Sequence, residues 1–174
     1  MRDLMVDIET LGTKPGSVIL SIGAVAFDAL TGEIGEEFYA SINPASATHA
    51  GLTIDAATVQ WWMEQSEEAR RSAFAGGRQI GGVLAEFSTY IRRASADRVW
   101  AKPPSFDLLL IESAFRACGM ETPWDYRSPR DCRTLFDLTG TTQPSVGIAH
   151  NALDDAKAQA MGVIEAYARF GSQA

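Results

Sequence analysis

The chain has 174 residues, 46% hydrophobic and 21% charged, a composition that suits one compact domain and excludes an intrinsically disordered segment. Its formal net charge of −7 excludes a protein that grips long nucleic acid through a broad basic face, unless part of that charge is a carboxylate cluster holding divalent cations. The opening MRDLMVDIET lacks the basic start and apolar run of a secretory signal, and no stretch approaches the roughly 18 apolar residues of a membrane span, so a soluble, cytoplasmic protein with no membrane partner is expected.

The segment DLMVDI reads as a buried strand, and VILSIGAVAFD, after the KPGS turn, as a second in which Gly23 marks a bulge or a close backbone approach. DALTGE supplies a hairpin turn into a third strand, about residues 33–42, whose alternation suits a half-exposed edge. These three form an antiparallel meander. Asp55 can cap a helix through Trp61 and Trp62, and Ser66 with Glu67 and Glu68 starts another short one. Ile80, Val83, Leu84, Phe87 and Ile91 recur at helical spacing and should lay one apolar stripe on the sheet. Arg98 to Ala101 is a fourth strand, Ser105 to Cys118 a helix ended by Gly119, Cys132 to Leu135 a fifth strand, and about Ala152 to Arg169 the last helix. Strands followed by alternating helices and strands give a mixed α/β sheet with helices on both faces.

Asp7 and Glu9 are two apart in the first strand, so their carboxylates share a side. Like charges so placed in a buried strand cost stability unless a cation neutralises them, although a DxE at a solvated strand end also arises by chance. Asp107 opens a helix, where an acid also serves simply to offset the macrodipole. In AHNALDDAKAQA, Asn151 can cap the helix, with Asp154 returning a capping-box contact. His150 then precedes the helix, and Asp155, one turn in, can face the same cleft. His150 is one of only two histidines, and the other, His49, has no recognisable partner.

Trp61 and Trp62, about 100° apart on a helix, cannot both face one partner. Either one is core and the other lines a groove or subunit contact, or both are core. Arg127, Arg130 and Arg133 with Asp131 and Asp137 read as local ion pairing, or alternatively as a phosphate contact. Only Lys14, Lys102 and Lys157 are lysines, and the arginines that make up the remaining basic residues suit bidentate phosphate contacts at a local rim. Cys118 and Cys132 are too few and too far apart for a CxxC site and read as packed, reduced thiols.

Three motifs in order, DIET at Asp7 to Thr10, Phe106 with Asp107, and His150 with Asp155 five residues on, resemble the DEDDh branch of the DnaQ-like, or ribonuclease T-like, 3′-5′ exonucleases. QWWMEQSEEAR and RDCRTL are similar to stretches of the small phage and bacterial members. The resemblance implies a ribonuclease H-like mixed five-stranded sheet and a single exonuclease domain over residues 1–174. It implies that Asp7, Glu9, Asp107 and Asp155 hold two divalent cations, Mg2+ or Mn2+, about 4 Å apart, with Asp7 bridging, Glu9 and Asp155 on the water-bearing ion and Asp107 opposite. His150 would take the proton of the attacking water. Thr10, Leu11 and Gly12 would meet the last sugar and base, Leu11 as an apolar wedge and Phe106 as a stacking surface, with Trp61 as a further groove residue. The implied partners are 3′ ends of single-stranded DNA or RNA, released as nucleoside 5′-monophosphates, and a second copy in a homodimer. The competing expectations are a catalytically inactive nucleic-acid-binding module on the same fold, or a structural subunit that binds metal only for stability.

Overall fold

The first strand is buried along nearly its whole length, and its alternating side chains decide what each face of the sheet carries. In the computed structural model, which describes residues 2–171, β1 (Asp3–Thr10) sends Leu4, Val6 and Ile8 into one hydrophobic cluster and Met5 into another. Asp7 and Glu9 continue the Met5 row. β2 (Ile19–Phe27) pairs antiparallel with β1, and β3 (Ile34–Ser41) pairs antiparallel with β2 at the sheet edge, which is the expected meander.

Next come α1 (Pro44–His49), α2 (Ala56–Glu64), α3 (Glu67–Ala73) and α4 (Ile80–Ala94). The sequence reading omits α1, although Asn43-Pro44 spells a helix start: the Asn43 side chain accepts from the Ala45 N–H at 2.8 Å, and proline suits the first helical position. Asp55 and Ser66 cap α2 and α3, and α4 buries the anticipated stripe.

β4 (Arg98–Ala101) lies parallel to β1, and α5 (Asp107–Ala117) leaves from its far end. β5 (Pro129–Asp131) is parallel to β4 and completes the order β3-β2-β1-β4-β5. The fifth strand therefore ends where Cys132 to Leu135 was expected to form it. Those residues open α6 (Cys132–Thr139) because Asp131 caps them, accepting from the Arg133 N–H, and because the buried pair Cys132 and Phe136 has helical spacing.

α7 (Ala152–Gly171) and α6 cover the Met5 face, while α4 and α5 cover the other. Gly23 stands opposite Asp7 in the β1–β2 register, and a Cβ there would fall far inside contact distance of the Ala152 and Leu153 backbone. The first turn of α7 thus rests directly on β2, so Gly23 is a close approach. The register slips instead between Glu9 and Thr10.

Among the described residues no helix is long and apolar enough to cross a membrane. Both cysteines are free thiols, Cys132 fully packed and donating to the Ala101 carbonyl at 3.0 Å. The expected ion pairing in the arginine run gives way to other partners: Arg130 donates to the carbonyls of Arg127, Ser128 and Pro129, and Arg127 lies over the Tyr126 ring. Asp131 is already committed to the α6 cap.

Candidate active site

Three chain segments meet at the ends of β1 and β4. Asp7 and Glu9 point from β1 toward α7, Asp107 starts α5 just after β4, and Asp155 faces them from the first turn of α7. Their charges act on one another: Asp7 feels Asp107, Glu9 and Asp155, and Glu9 feels Asp155 and Asp107. The parallel pairing of β1 with β4 brings Asp107 here, and the small Gly23 lets α7 come close enough for Asp155 to join.

Such a gathering is costly without a counter-charge. Desolvation, followed by the neighbouring acids, holds Asp7 well above the usual carboxyl range, and Glu9, 8% exposed, is pushed up to about 8. Asp107, 2% exposed, is raised to about 7 by burial, against opposing backbone N–H groups and the positive charge of Arg133. Burial also raises Asp155, which the His150 N–H, the imidazole and Lys102 partly offset. The buried Asp107 Oδ2 has no hydrogen-bond partner among the described residues. An orphaned carboxylate oxygen inside a ring of acids is the feature a hard divalent cation would satisfy, so the donor set fits Mg2+ or Mn2+. Glu9, His150 and Asp155 also offer ligand atoms within 4.8 Å of one another.

His150 adopts a left-handed φ of 62°, and its N–H donates to Asp155 Oδ2 at 3.1 Å. The Asn151 side chain caps α7 through the Leu153 and Asp154 N–H groups, as expected. Asp154 does not close the predicted capping box. Its carboxylate accepts from the Ile148 N–H at 2.8 Å, because the loop turns at Gly147 and folds back over the first helical turn. The geometric argument about the tryptophans also fails: both rings meet one partner, with centroids 5.1 Å from Trp61 to His150 and 6.1 Å from Trp62 to His150. The long indoles converge although their Cα atoms do not. Trp62 is core, donating to the Thr10 carbonyl at 2.8 Å, whereas Trp61 is 41% exposed.

A cavity of about 430 Å³ adjoins the acids, lined by Glu9, Thr10, Trp61, Trp62 and Phe106 among others. Of the residues expected to meet substrate, Thr10, Trp61 and Phe106 therefore share one surface. Leu11 and Gly12 do not line it; Leu11 is packed in the core, so here it is no protruding wedge. Its N–H donates to the Val18 carbonyl and its carbonyl accepts from the Asp55 N–H, which holds the turn inward. Thr13 and Thr58, which also line the cavity, escaped the sequence reading, and Asp55 was read there only as a helix cap; Gln159, which donates to Asp7 Oδ1 at 2.7 Å, escaped it too. Gln159 follows Asp155 by four residues, a helical spacing that could have revealed it.

The model of the Rv2179c-like family, described as the 3′-5′ exoribonuclease Rv2179c-like domain, matches residues 2–167. The chain belongs to this family. The resemblance to DnaQ-like exonucleases therefore holds, and the family is one of 3′-5′ exonuclease domains, a class of hydrolases. Among curated relatives, the exodeoxyribonuclease of Enterobacteria phage T4 is 24% identical over 129 residues, 67% of this chain and 56% of that protein. The Rv2179c-like domain thus corresponds to just over half of that relative. Among solved structures, E. coli Exonuclease I in complex with a 5cy-dA13 oligonucleotide aligns with a TM-score of 0.65 at 15% identity, covering 94% of this chain and 40% of that one. The nuclease domain of 3′hExo, a DEDDh family member bound to rAMP, aligns at 0.61 with 13% identity, covering 94% and 90%. These matches establish the ribonuclease H-like exonuclease fold.

Proposed function

We propose that residues 1–174 act as a single exonuclease domain that hydrolyses the terminal phosphodiester at the 3′ end of single-stranded DNA or RNA and releases nucleoside 5′-monophosphates with Mg2+ or Mn2+. One observation carries the reading: Asp7, Glu9, Asp107 and Asp155, from three distant segments, converge with His150 beside a cavity walled by Trp61 and Phe106. The comparisons support it from outside, since Exonuclease I aligns with this fold in complex with an oligonucleotide and 3′hExo with bound rAMP. They lend no support to the homodimer.

The four carboxylates would hold the cations. Bound divalent cations supply Lewis-acid stabilisation to a phosphodiester undergoing in-line displacement. His150 accepts the proton of the attacking water, the role of a general base. Asp155 accepts the main-chain N–H of His150 and so fixes the backbone that carries the imidazole. Trp61 and Phe106 offer aromatic faces to the terminal base, a contact that tolerates any sequence. Lys102 and Arg133 place positive charge toward Asp155 and Asp107, a local basic element within an acidic protein.

The test compares 3′-labelled and 5′-labelled DNA and RNA oligomers, single- and double-stranded, with Mg2+ or Mn2+. Mononucleotides released stepwise from the 3′ end are expected. Intact oligomers in the presence of normal Mn2+ binding would sink the proposal in favour of a non-catalytic binding module.

A further inference from the structure

Gln159 has no part in the reading above, yet it touches the site's first acid. Its Nε2 donates to Asp7 Oδ1 at 2.7 Å. The side chain is 4% exposed, and its Oε1 is buried without a hydrogen-bond partner among the described residues. Asp155 and Gln159 lie one turn apart on the same face of α7. The helix thus directs an acid into the site and, a turn deeper, an amide onto β1.

The amide turns its NH2 toward Asp7, the one orientation that serves an ionised carboxylate, and Oε1 is left unpaired. Burying an unpaired acceptor is unfavourable. Methionine or leucine would fill similar space without that cost, so packing alone does not account for glutamine here. Asp7 Oδ2, by contrast, has no protein hydrogen bond among the described residues.

We propose that Gln159 is a positioning residue: it pins Asp7 by Oδ1 and so fixes Oδ2 as the oxygen presented to a divalent cation. Partners of this kind orient ligands and restrict their rotation, and their loss weakens metal binding. The inference rests on Asp7 being a cation ligand.

Mn2+ binding, followed by the electron paramagnetic resonance of the free ion, tests it on wild type, Asp7→Asn, Gln159→Met and the double variant. Melting curves in EDTA serve as the folding control. Gln159→Met should weaken binding about tenfold in the wild-type background. In the Asp7→Asn background it should have less than about a twofold effect, because the two residues act as one unit. The melting temperature of cation-free Gln159→Met should shift little, since loss of the unpaired Oε1 offsets loss of the donor to Asp7 Oδ1. Equal weakening in both backgrounds, or none in either, overturns the positioning role. Should Gln159→Met not fold, Gln159→Leu, which also lacks the donor and adds no charge, takes its place in the same cycle. If Asp7→Asn leaves Mn2+ affinity unchanged, the ligand reading of Asp7 fails and takes the inference with it. A cycle with the expected coupling in a protein that leaves oligomers intact removes the exonuclease proposal and keeps the role of Gln159.

Discussion

The His150 imidazole stands edge-on to the Trp61 indole, 5.1 Å between centroids at an interplanar angle of 84°. Trp61 in turn meets Trp62 at 5.0 Å, and the neighbouring Asn151 donates to Ser72 Oγ at 2.8 Å. The α2–α3 segment therefore braces the loop that carries His150. That loop enters its helix through a left-handed residue, so outside contacts matter to where the imidazole sits.

The two tryptophans should separate stability from substrate binding. Trp62→Phe removes the donor to the Thr10 carbonyl and leaves a buried acceptor unpaired, at a cost of about 1–3 kcal/mol. Trp61→Leu, at a partly exposed position, gives up ring contacts to Trp62 and His150 and should cost less, about 0.5–1 kcal/mol in urea. It should raise KM for an oligonucleotide about tenfold through lost stacking. Urea unfolding with steady-state kinetics checks both, and the reverse ordering would contradict the roles given to the two rings.

His150 and Asp155 should differ in what they lose. His150→Ala is expected to lower kcat by about 10²–10⁴ through loss of a proton acceptor, with Mn2+ affinity within twofold of wild type. Asp155→Ala should lose turnover and affinity together, because it removes a donor oxygen and frees the His150 N–H. Calorimetric Mn2+ titrations decide the matter. An equal loss of affinity in both variants would make His150 a ligand alongside Glu9 and Asp155, whose ligand atoms lie within reach of a common ion.

Most of this geometry was legible because it follows from short-range rules. Period two put Asp7 and Glu9 on one side of β1, and capping chemistry located α2, α3 and α7. Long-range contacts escaped those rules. The four-residue spacing from Asp155 puts Gln159 on the site's face of α7, but nothing local names Asp7, 152 positions away, as its partner, or says that Asp154 turns back to Ile148 while Asn151 reaches Ser72. Leu11 was misplaced for the same reason, since only the Val18 and Asp55 hydrogen bonds show the turn folding inward. The fifth strand was placed too late because a short apolar run fits strand and helix alike, and the Asp131 cap decided for helix.

Without cations, stability should fall as pH rises. Glu9 at about 8 and Asp107 at about 7 both titrate above their ordinary values of 4.5 and 3.8. Between the ordinary and the raised values the folded state holds protons that the unfolded chain has released, so raising the pH favours unfolding. The melting temperature in EDTA should therefore drop from about pH 5 to about pH 8. Mg2+ or Mn2+ should restore it most strongly at the alkaline end, where the carboxylates are ionised. Asp107→Asn should flatten the slope in EDTA. A melting temperature that climbs across the same window would contradict the raised values.

Gly23 sets the distance between the sheet and the helix that delivers Asp155. A Cβ at this position would run into the Ala152 and Leu153 backbone, which cannot rotate aside as a side chain can. Gly23→Ala must therefore lift the first turn of α7 from β2, costing about 1–3 kcal/mol or more, and carry Asp155 away from Asp7 and Glu9. Gly162→Ala gives the control: its Cβ would lie 2.7 Å from the Phe136 ring, a side chain rather than the backbone of the helix that carries Asp155. Both variants should unfold at lower urea, but only Gly23→Ala should also lose Mn2+ affinity and turnover, by at least about tenfold. Wild-type Mn2+ binding in folded Gly23→Ala would show that the site does not depend on this close approach.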